Sequence, residues 1–285
     1  MHSTEADAVE AFKDWLAIYR RPQTVRNRVH YASRLRDWAI AHDRHLWSLT
    51  TRDLTQWLTT VGNHPATRKN AADAIRAFYR WAVEDGRTHV NPCETLPKIT
   101  VPRGMPKPTP DTVLRHALTR ATCVQDVLML YLASYGGLRV SEIAQMRAED
   151  FANNAMRVIG KGGHVRYVPL HPALAEVLRH APSKGWLFPS EKNATGHYLP
   201  ASIAQRIRRL LNTPGWSAHS LRHRFATAFY EVTADLLALR DLLGHADVST
   251  TMVYTRVATG RLRTQVSEIP RLEASLPFLD TQRAS

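Results

Sequence analysis

His219-Ser220-Leu221-Arg222-His223-Arg224-Phe225-Ala226-Thr227 puts two imidazoles and two guanidiniums on one helical pattern, which leads through Leu243-Gly244-His245 to Tyr254. Arginine forms paired hydrogen bonds to phosphate oxygens. Histidine moves protons near neutral pH, and a tyrosine oxygen can attack phosphorus. The same residues could fill an ordinary helical core. They could also bind a metal, with His219 and His223 on one helix face and His245 as a third donor. The metal reading breaks down at Ser220, which stands where a zinc-protease motif needs glutamate, and no nearby cysteine or paired carboxylate completes a site.

Other phosphate chemistries lack their parts. No Gly-x-x-x-x-Gly-Lys-Ser/Thr loop occurs, and Gly160-Lys161-Gly162-Gly163 sits in a hairpin pattern rather than before a helix. A serine nucleophile elbow is missing, as is the acidic cluster of a two-metal nuclease.

The composition bounds the partners. With 38 Lys+Arg against 25 Asp+Glu, the 285-residue chain carries a formal charge of +13, which favours a polyanionic partner. Both the first hundred residues and the remainder have a basic excess. No apolar run is long enough to span a bilayer, and the opening Met1-His2-Ser3-Thr4-Glu5-Ala6-Asp7 is unlike a secretory signal. The two cysteines, Cys93 and Cys123, suggest no disulfide framework. Together these features lead us to expect a cytoplasmic protein with no membrane partner.

Apolar residues at three- and four-residue steps predict helices over 7–20, 24–42 and 65–85, with a further helix carrying Leu54, Trp57 and Leu58 before the last of these. Thr50 or Thr51 reads as a cap, Pro65 as a first helical residue and Gly86 as a stop. Five of the seven tryptophans (Trp15, Trp38, Trp47, Trp57 and Trp81) fall here, on core-facing stripes. Residues 92–110 hold six of the sixteen prolines and read as a semi-rigid extended connector.

Beyond the connector, helices are expected over 110–121, 123–135 and 140–146. Two strands, Met156–Ile159 and Val165–Leu170, flank the turn around Lys161. Further helices are expected over 172–180, 200–212, 219–231, 235–243, 249–257 and 259–268. The expected fold is mainly α with a small β-hairpin. The domains read as 1–90, a linker over 91–109, and 110–285 with a tail from about 259.

These pieces occur in a telling order: Gly137-Leu138-Arg139-Val140-Ser141-Glu142-Ile143, the hairpin Lys161, His219-x-x-Arg222 with Phe225-Ala226-Thr227, Leu243-Gly244-His245, and Thr251-Met252-Val253-Tyr254. Any one would arise by chance. All five in order resemble the catalytic domain of the tyrosine recombinase (phage integrase) family, over about residues 107–257. Arg76-Ala77-Phe78-Tyr79-Arg80-Trp81-Ala82 with Asn91-Pro92 resembles the end of that family's helical core-binding domain.

The resemblance implies a site-specific recombinase that integrates or excises phage or mobile-element DNA through a 3′-phosphotyrosine and a Holliday junction. Tyr254 would attack, Arg139 and Arg222 would clamp the phosphate, and Lys161 would protonate the leaving oxygen. His219 would assist proton transfer at the tyrosine or hydrogen-bond the phosphate, His245 would donate a further hydrogen bond, and Glu142 would support the site. No metal, ATP or other cofactor is implied. The partners would be double-stranded DNA bearing core-type sites, three further copies of the chain in a tetramer on DNA, and a directionality factor. The setting would be the nucleoid of a bacterial or phage-infected cell. The tail from about 259 to 285 would contact a neighbouring protomer or pack on its own domain.

Phosphate-backbone contacts are expected from Arg26, Arg34, Arg68, Lys69 and Arg76 in the first part. In the second part they are expected from Arg157, Arg166, Arg206, Arg208 and Arg209. His223 and Arg224 match no catalytic position and read as surface or backbone contacts. The alternative role within the family is a Xer-type chromosome or plasmid dimer resolvase, and a type IB topoisomerase shares the chemistry. A rival of another class is a DNA-binding regulator on the same scaffold.

Overall fold

Amphipathic stripes and well-placed caps account for the helices of the first part of the chain. The computed structural model describes residues 2–102, 104–160, 162–244 and 251–252, and the chain divides into two compact units, Met1–Arg103 and Gly104–Ser285. The first unit contains α1 (His2–Tyr19), α2 (Pro22–Ala41), α3 (Thr51–Thr60) and α4 (Pro65–Glu84). α3 begins at a reciprocal cap: the Thr50 N–H donates to Asp53 at 2.8 Å and the Asp53 N–H donates to Thr50 Oγ1 at 3.3 Å. α4 opens on Pro65, and His64 Nδ1 accepts the Ala66 N–H. Gly86, at φ +71°, follows its end.

Phe12, Leu16, Trp57, Phe78 and Trp81 are buried in this core, with Trp15, Trp38 and Trp47 packed against it. Each fully buried large aliphatic or phenyl side chain contributes about 2 kcal/mol. The Tyr79 hydroxyl, also buried, donates to the Leu46 carbonyl at 2.7 Å.

The proline-rich stretch, expected as a semi-rigid extended connector, begins packed on the first core. Cys93 and Leu96 are buried in the first core and Ile99 packs against it. Arg76 Nη2 donates to the Leu96 and Pro97 carbonyls, both at 2.9 Å, and Thr51 Oγ1 donates to the Pro92 carbonyl at 2.8 Å. Prolines here remove donors, and their neighbours' carbonyls are satisfied by side chains from α3 and α4.

The second unit contains α5 (Asp111–Thr119), α6 (Val124–Ser134), α7 (Val140–Ala144), α8 (Pro172–Leu178), α9 (Pro200–Leu211), α10 (Ala218–Thr233) and α11 (Leu236–Leu243). Its antiparallel sheet has the order β1 (Phe151–Ala152), β2 (Ala155–Ile159), β3 (Val165–Pro169). β1 was not expected. It is two residues long and turns into β2 through Asn153 and Asn154, both at positive φ, a tight hairpin that asparagine tolerates. Met156, Val158 and Val168 face inward, while Arg157, Ile159, Val165 and Tyr167 face out. Leu128, Leu132, Met156, Val158, Ile203, Ile207 and Leu221 are among the buried side chains of this core.

The mainly helical fold with one small sheet thus matches expectation. The expected helices over 249–257 and 259–268, and the C-terminal tail, lie outside the described residues apart from Thr251 and Met252. Among the described residues, no helix is long and apolar enough to cross a membrane.

Candidate active site

The turn between α6 and α7 sets the first arginine. Gly137 sits at φ +64°, and a Cβ there would run into the ring of Phe225 on α10. A Cβ on Gly136 would lie 2.8 Å from the Leu132 carbonyl oxygen. Two glycines therefore let the chain turn tightly against α10 and present Arg139 at the start of α7. Glu142, one turn along, caps that start: the Arg139 N–H donates to Oε2 at 2.7 Å and Arg139 Nη1 donates to Oε1 at 3.0 Å.

α10 delivers the second arginine. Its first turn is held by Ser217 and Ser220, whose Oγ accepts the Ser217 N–H at 2.8 Å and also accepts a bond from Thr109 at 2.7 Å. Arg222, buried, donates from Nη1 to the Gly137 carbonyl at 2.6 Å and from Nη2 to the Leu243 carbonyl at 2.7 Å. Arg139 Nη1 reaches the same Leu243 oxygen at 3.4 Å. The last carbonyls of a helix have no partner within the helix. At the end of α11 the arginines supply those partners, where the helix dipole also favours cations. Gly244, at φ +61°, then turns the chain out of the helix.

The third arginine, expected as a phosphate-backbone contact, is turned inside. Arg166 on β3 is only 11% exposed. It meets both Glu142 oxygens at 2.9 Å, and its Nε donates to the Leu242 carbonyl at 2.7 Å. Its position opposite Val158, on the same strand face as Val168, turns it inward. Arg222 Nη1 lies 3.6 Å from Glu142 Oε2. Three guanidiniums against one carboxylate leave a surplus of two positive charges. A cluster so charged and so sheltered is suited to an anion.

Burial pushes the Glu142 carboxyl up. The Arg166 hydrogen bonds and charge, the Arg139 N–H and the Arg222 charge outweigh that effect and hold it below its ordinary value. His219 is pushed down, first by burial and then by Arg222 and Arg139, so its neutral form is favoured. His223, whose ring lies 4.3 Å from that of His219, is pushed down to about 4 by burial, His219 and Arg222. It is therefore half-buried beside the candidate site rather than on an open surface. Arg224 likewise turns inward, pairing with Asp111 at 2.7 Å and bonding the Ser134 carbonyl at 3.3 Å.

Arg139, Glu142, Arg222 and His219 are thus gathered in one place. Lys161, His245 and Tyr254 lie outside the described residues. The Lys161 turn is closed on the described side by the Gly160 N–H donating to the His164 carbonyl at 2.8 Å. Among the described residues, no group of three His, Cys, Asp or Glu side chains could hold a metal.

The other cations expected at a phosphate backbone differ in how open they are. Arg26, Arg208 and Arg209 are exposed and Arg34 is half-buried. Arg68 donates to the Gly62 carbonyl at 2.7 Å, Lys69 pairs with Asp73 at 2.6 Å, and Arg76 holds the Leu96–Pro97 segment. Arg157 pairs with Asp150 at 2.8 Å. Arg206 forks onto Asp126 at 2.6 and 2.7 Å and holds that carboxyl below its ordinary value.

The model of the Phage integrase family matches residues 111–261, and the model of the Phage integrase, N-terminal SAM-like domain matches residues 9–86. The chain is similar to tyrosine recombinase XerC of Erythrobacter litoralis (strain HTCC2594), 35% identical over 231 residues, with 74% of each chain covered. It is 31% identical to tyrosine recombinase XerC of Yersinia pestis over 281 residues, covering 91% of this chain and 93% of that one. Among solved structures, a lambda integrase dimer bound to a COC′ core site shares the fold, with a TM-score of 0.70 at 19% identity, covering 95% of this chain and 80% of that one.

Proposed function

This chain belongs to the phage integrase family, the tyrosine recombinases, which break and rejoin DNA strands, and from that premise we propose how its own residues act. The observation that carries the proposal is the convergence of Arg139 and Arg222 on the Leu243 carbonyl beside Glu142, with positive charge in surplus.

The two guanidiniums hold the non-bridging oxygens of one phosphodiester in double-stranded DNA. The Tyr254 oxygen attacks the phosphorus as its proton passes to His219, whose favoured neutral form can accept it. The bond from phosphorus to the tyrosine oxygen forms, and the bond to the 5′ oxygen breaks. Lys161 gives that oxygen a proton. Arg139, Arg222 and a hydrogen bond from His245 stabilise the charge that builds on the phosphorane, the largest electrostatic demand of the reaction. Rejoining runs the same steps backwards from a 5′ hydroxyl, so bond energy is conserved and no nucleotide is consumed.

Four such cuts by a tetramer of this chain, two that form a Holliday junction between paired sites and two that resolve it, give site-specific recombination. One role for it is integration or excision of mobile DNA, with a directionality factor choosing between them. The second is resolution of chromosome or plasmid dimers, a reading that the XerC relatives support. Sequencing the DNA trapped on the protein in its own cells separates them: element junctions indicate integration, whereas a palindromic chromosomal site apart from any element indicates resolution.

A nicked half-site that loses its 5′ fragment after cleavage tests the chemistry. Wild-type protein is expected to form a covalent complex in EDTA without ATP, and Tyr254→Phe to form none. Binding of the same site with no covalent product would leave a DNA-binding regulator as the correct reading.

A further inference from the structure

Arg166 takes no part in the proposed reaction, yet it is the arginine most committed to Glu142. Both of its terminal nitrogens meet the carboxylate at 2.9 Å, and its Nε meets the Leu242 carbonyl at 2.7 Å. Gly244 packs on it so closely that a Cβ there would lie 3.1 Å from Nη1 and 3.3 Å from Cδ. Its fork on the carboxylate matches its charge inside the fold, whereas Arg222 donates to the Gly137 and Leu243 carbonyls and stands 3.6 Å from Glu142.

That commitment governs what Glu142 can do to the other two arginines. A carboxylate accepts a guanidinium best as a two-bond fork. Arg166 occupies that fork, so the Arg139 side chain donates a single bond, at 3.0 Å to Oε1, and Arg222 stands at 3.6 Å. Without Arg166, Glu142 could turn its fork onto Arg139 and neutralise a charge that should meet phosphate. The Leu242 bond adds a second constraint, because Leu243, the next residue, carries the carbonyl on which Arg139 and Arg222 converge.

We infer that Arg166 is a positioning residue for strand cleavage: it saturates Glu142 and fixes the end of α11, leaving Arg139 and Arg222 set and charged for the scissile phosphate. The contact also ties the strand that follows Lys161 to the turn that precedes His245. The inference rests on the phosphate-clamp reading given under Proposed function.

The test uses the full chain and two nicked half-sites. One carries the natural scissile phosphate. The other carries a methylphosphonate, in which a methyl group replaces a charged oxygen. On the natural substrate Arg166→Met should cleave on the order of 100-fold more slowly, as small misplacements at a reacting centre do, with half-site affinity unchanged. Arg166→Lys should recover part of the rate, because it keeps a charge beside Glu142 but not the fork. On the neutral substrate the Arg166→Met defect should shrink, because less negative charge then needs to be met.

Equal defects on the two substrates would overturn the inference, since a merely structural lesion slows both alike. So would wild-type cleavage by Arg166→Met. Lost affinity with normal cleavage at saturating DNA would also overturn it and make Arg166 a backbone contact. If Arg166→Met does not fold, Arg166→Lys supplies the same ratio. Absence of any covalent product from wild type would instead remove the recombinase chemistry itself, a distinguishable result.

Discussion

Glu142 and Arg222 sit 3.6 Å apart, both buried, with the same carboxylate capping the Arg139 backbone N–H at 2.7 Å. One side chain therefore starts α7 and balances the charges gathered around it. Glu142→Gln should destabilise the second unit by about 3–5 kcal/mol, the cost of leaving buried charge without its partner. Denaturant unfolding monitored by helix content would measure it. A loss below about 1 kcal/mol, the scale of an exposed pair, would show that the cluster is better solvated than its burial implies.

Gly137→Ala should be costly for two reasons. The backbone is at φ +64°, and the added methyl group meets the Phe225 ring. Overpacking of this kind costs about 1–3 kcal/mol, and the Gly137 carbonyl that accepts Arg222 would shift with it. Phe225→Leu in the same chain should recover the packing part but not the backbone part. A melting temperature equal to wild type would contradict both.

His223 gives a pH dependence. In the fold it is pushed down to about 4 from an ordinary 6.5. Below 6.5 the unfolded chain takes up a proton that the folded chain refuses, so the His223 contribution is fully present above 6.5 and is lost as the pH falls towards 4. Unfolding free energy measured across that window should decline, and His223→Gln should flatten the decline. An unaltered slope in the variant would place the titration on another group.

The basic residues of α9 should separate by function. Arg208 and Arg209 are exposed, whereas Arg206 forks onto the buried Asp126. Arg208→Ala and Arg209→Ala should each weaken DNA binding and reduce the salt slope by about 1 for each phosphate no longer neutralised. Arg206→Ala should lower thermal stability and leave the slope alone. A reduced slope for Arg206→Ala would mean that its pair with Asp126 opens on DNA.

Much of the fold is legible in the sequence. Period-3.6 stripes locate α1 to α6, and Thr50, Pro65 and Gly86 mark boundaries through known cap chemistry. Arg139 and Arg222 stand out by their company in the motif rather than by their charge. Arg166 escapes because an arginine on a strand reads as solvated. Its place two residues before the buried Val168 carries the contrary signal, since alternate residues on a strand share a face. Arg206 misleads in the same way, because its acidic partner, Asp126, lies 80 residues away in the chain. β1 escapes because two residues make no pattern, although Asn153-Asn154 is a turn signal. The packing of the proline-rich segment on the first core escapes because Arg76, which holds it, sits 20 residues earlier.

The central claim is that Tyr254 becomes bonded to DNA at a phosphate held by Arg139 and Arg222. Digesting the trapped complex with protease and nuclease, then sequencing the modified peptide by mass spectrometry, tests it most directly. The account predicts a nucleotide joined through a 3′-phosphate to Tyr254, in wild type and not in Tyr254→Phe. A nucleotide carried on any other residue, or a Tyr254→Phe variant that still forms the adduct, would contradict it.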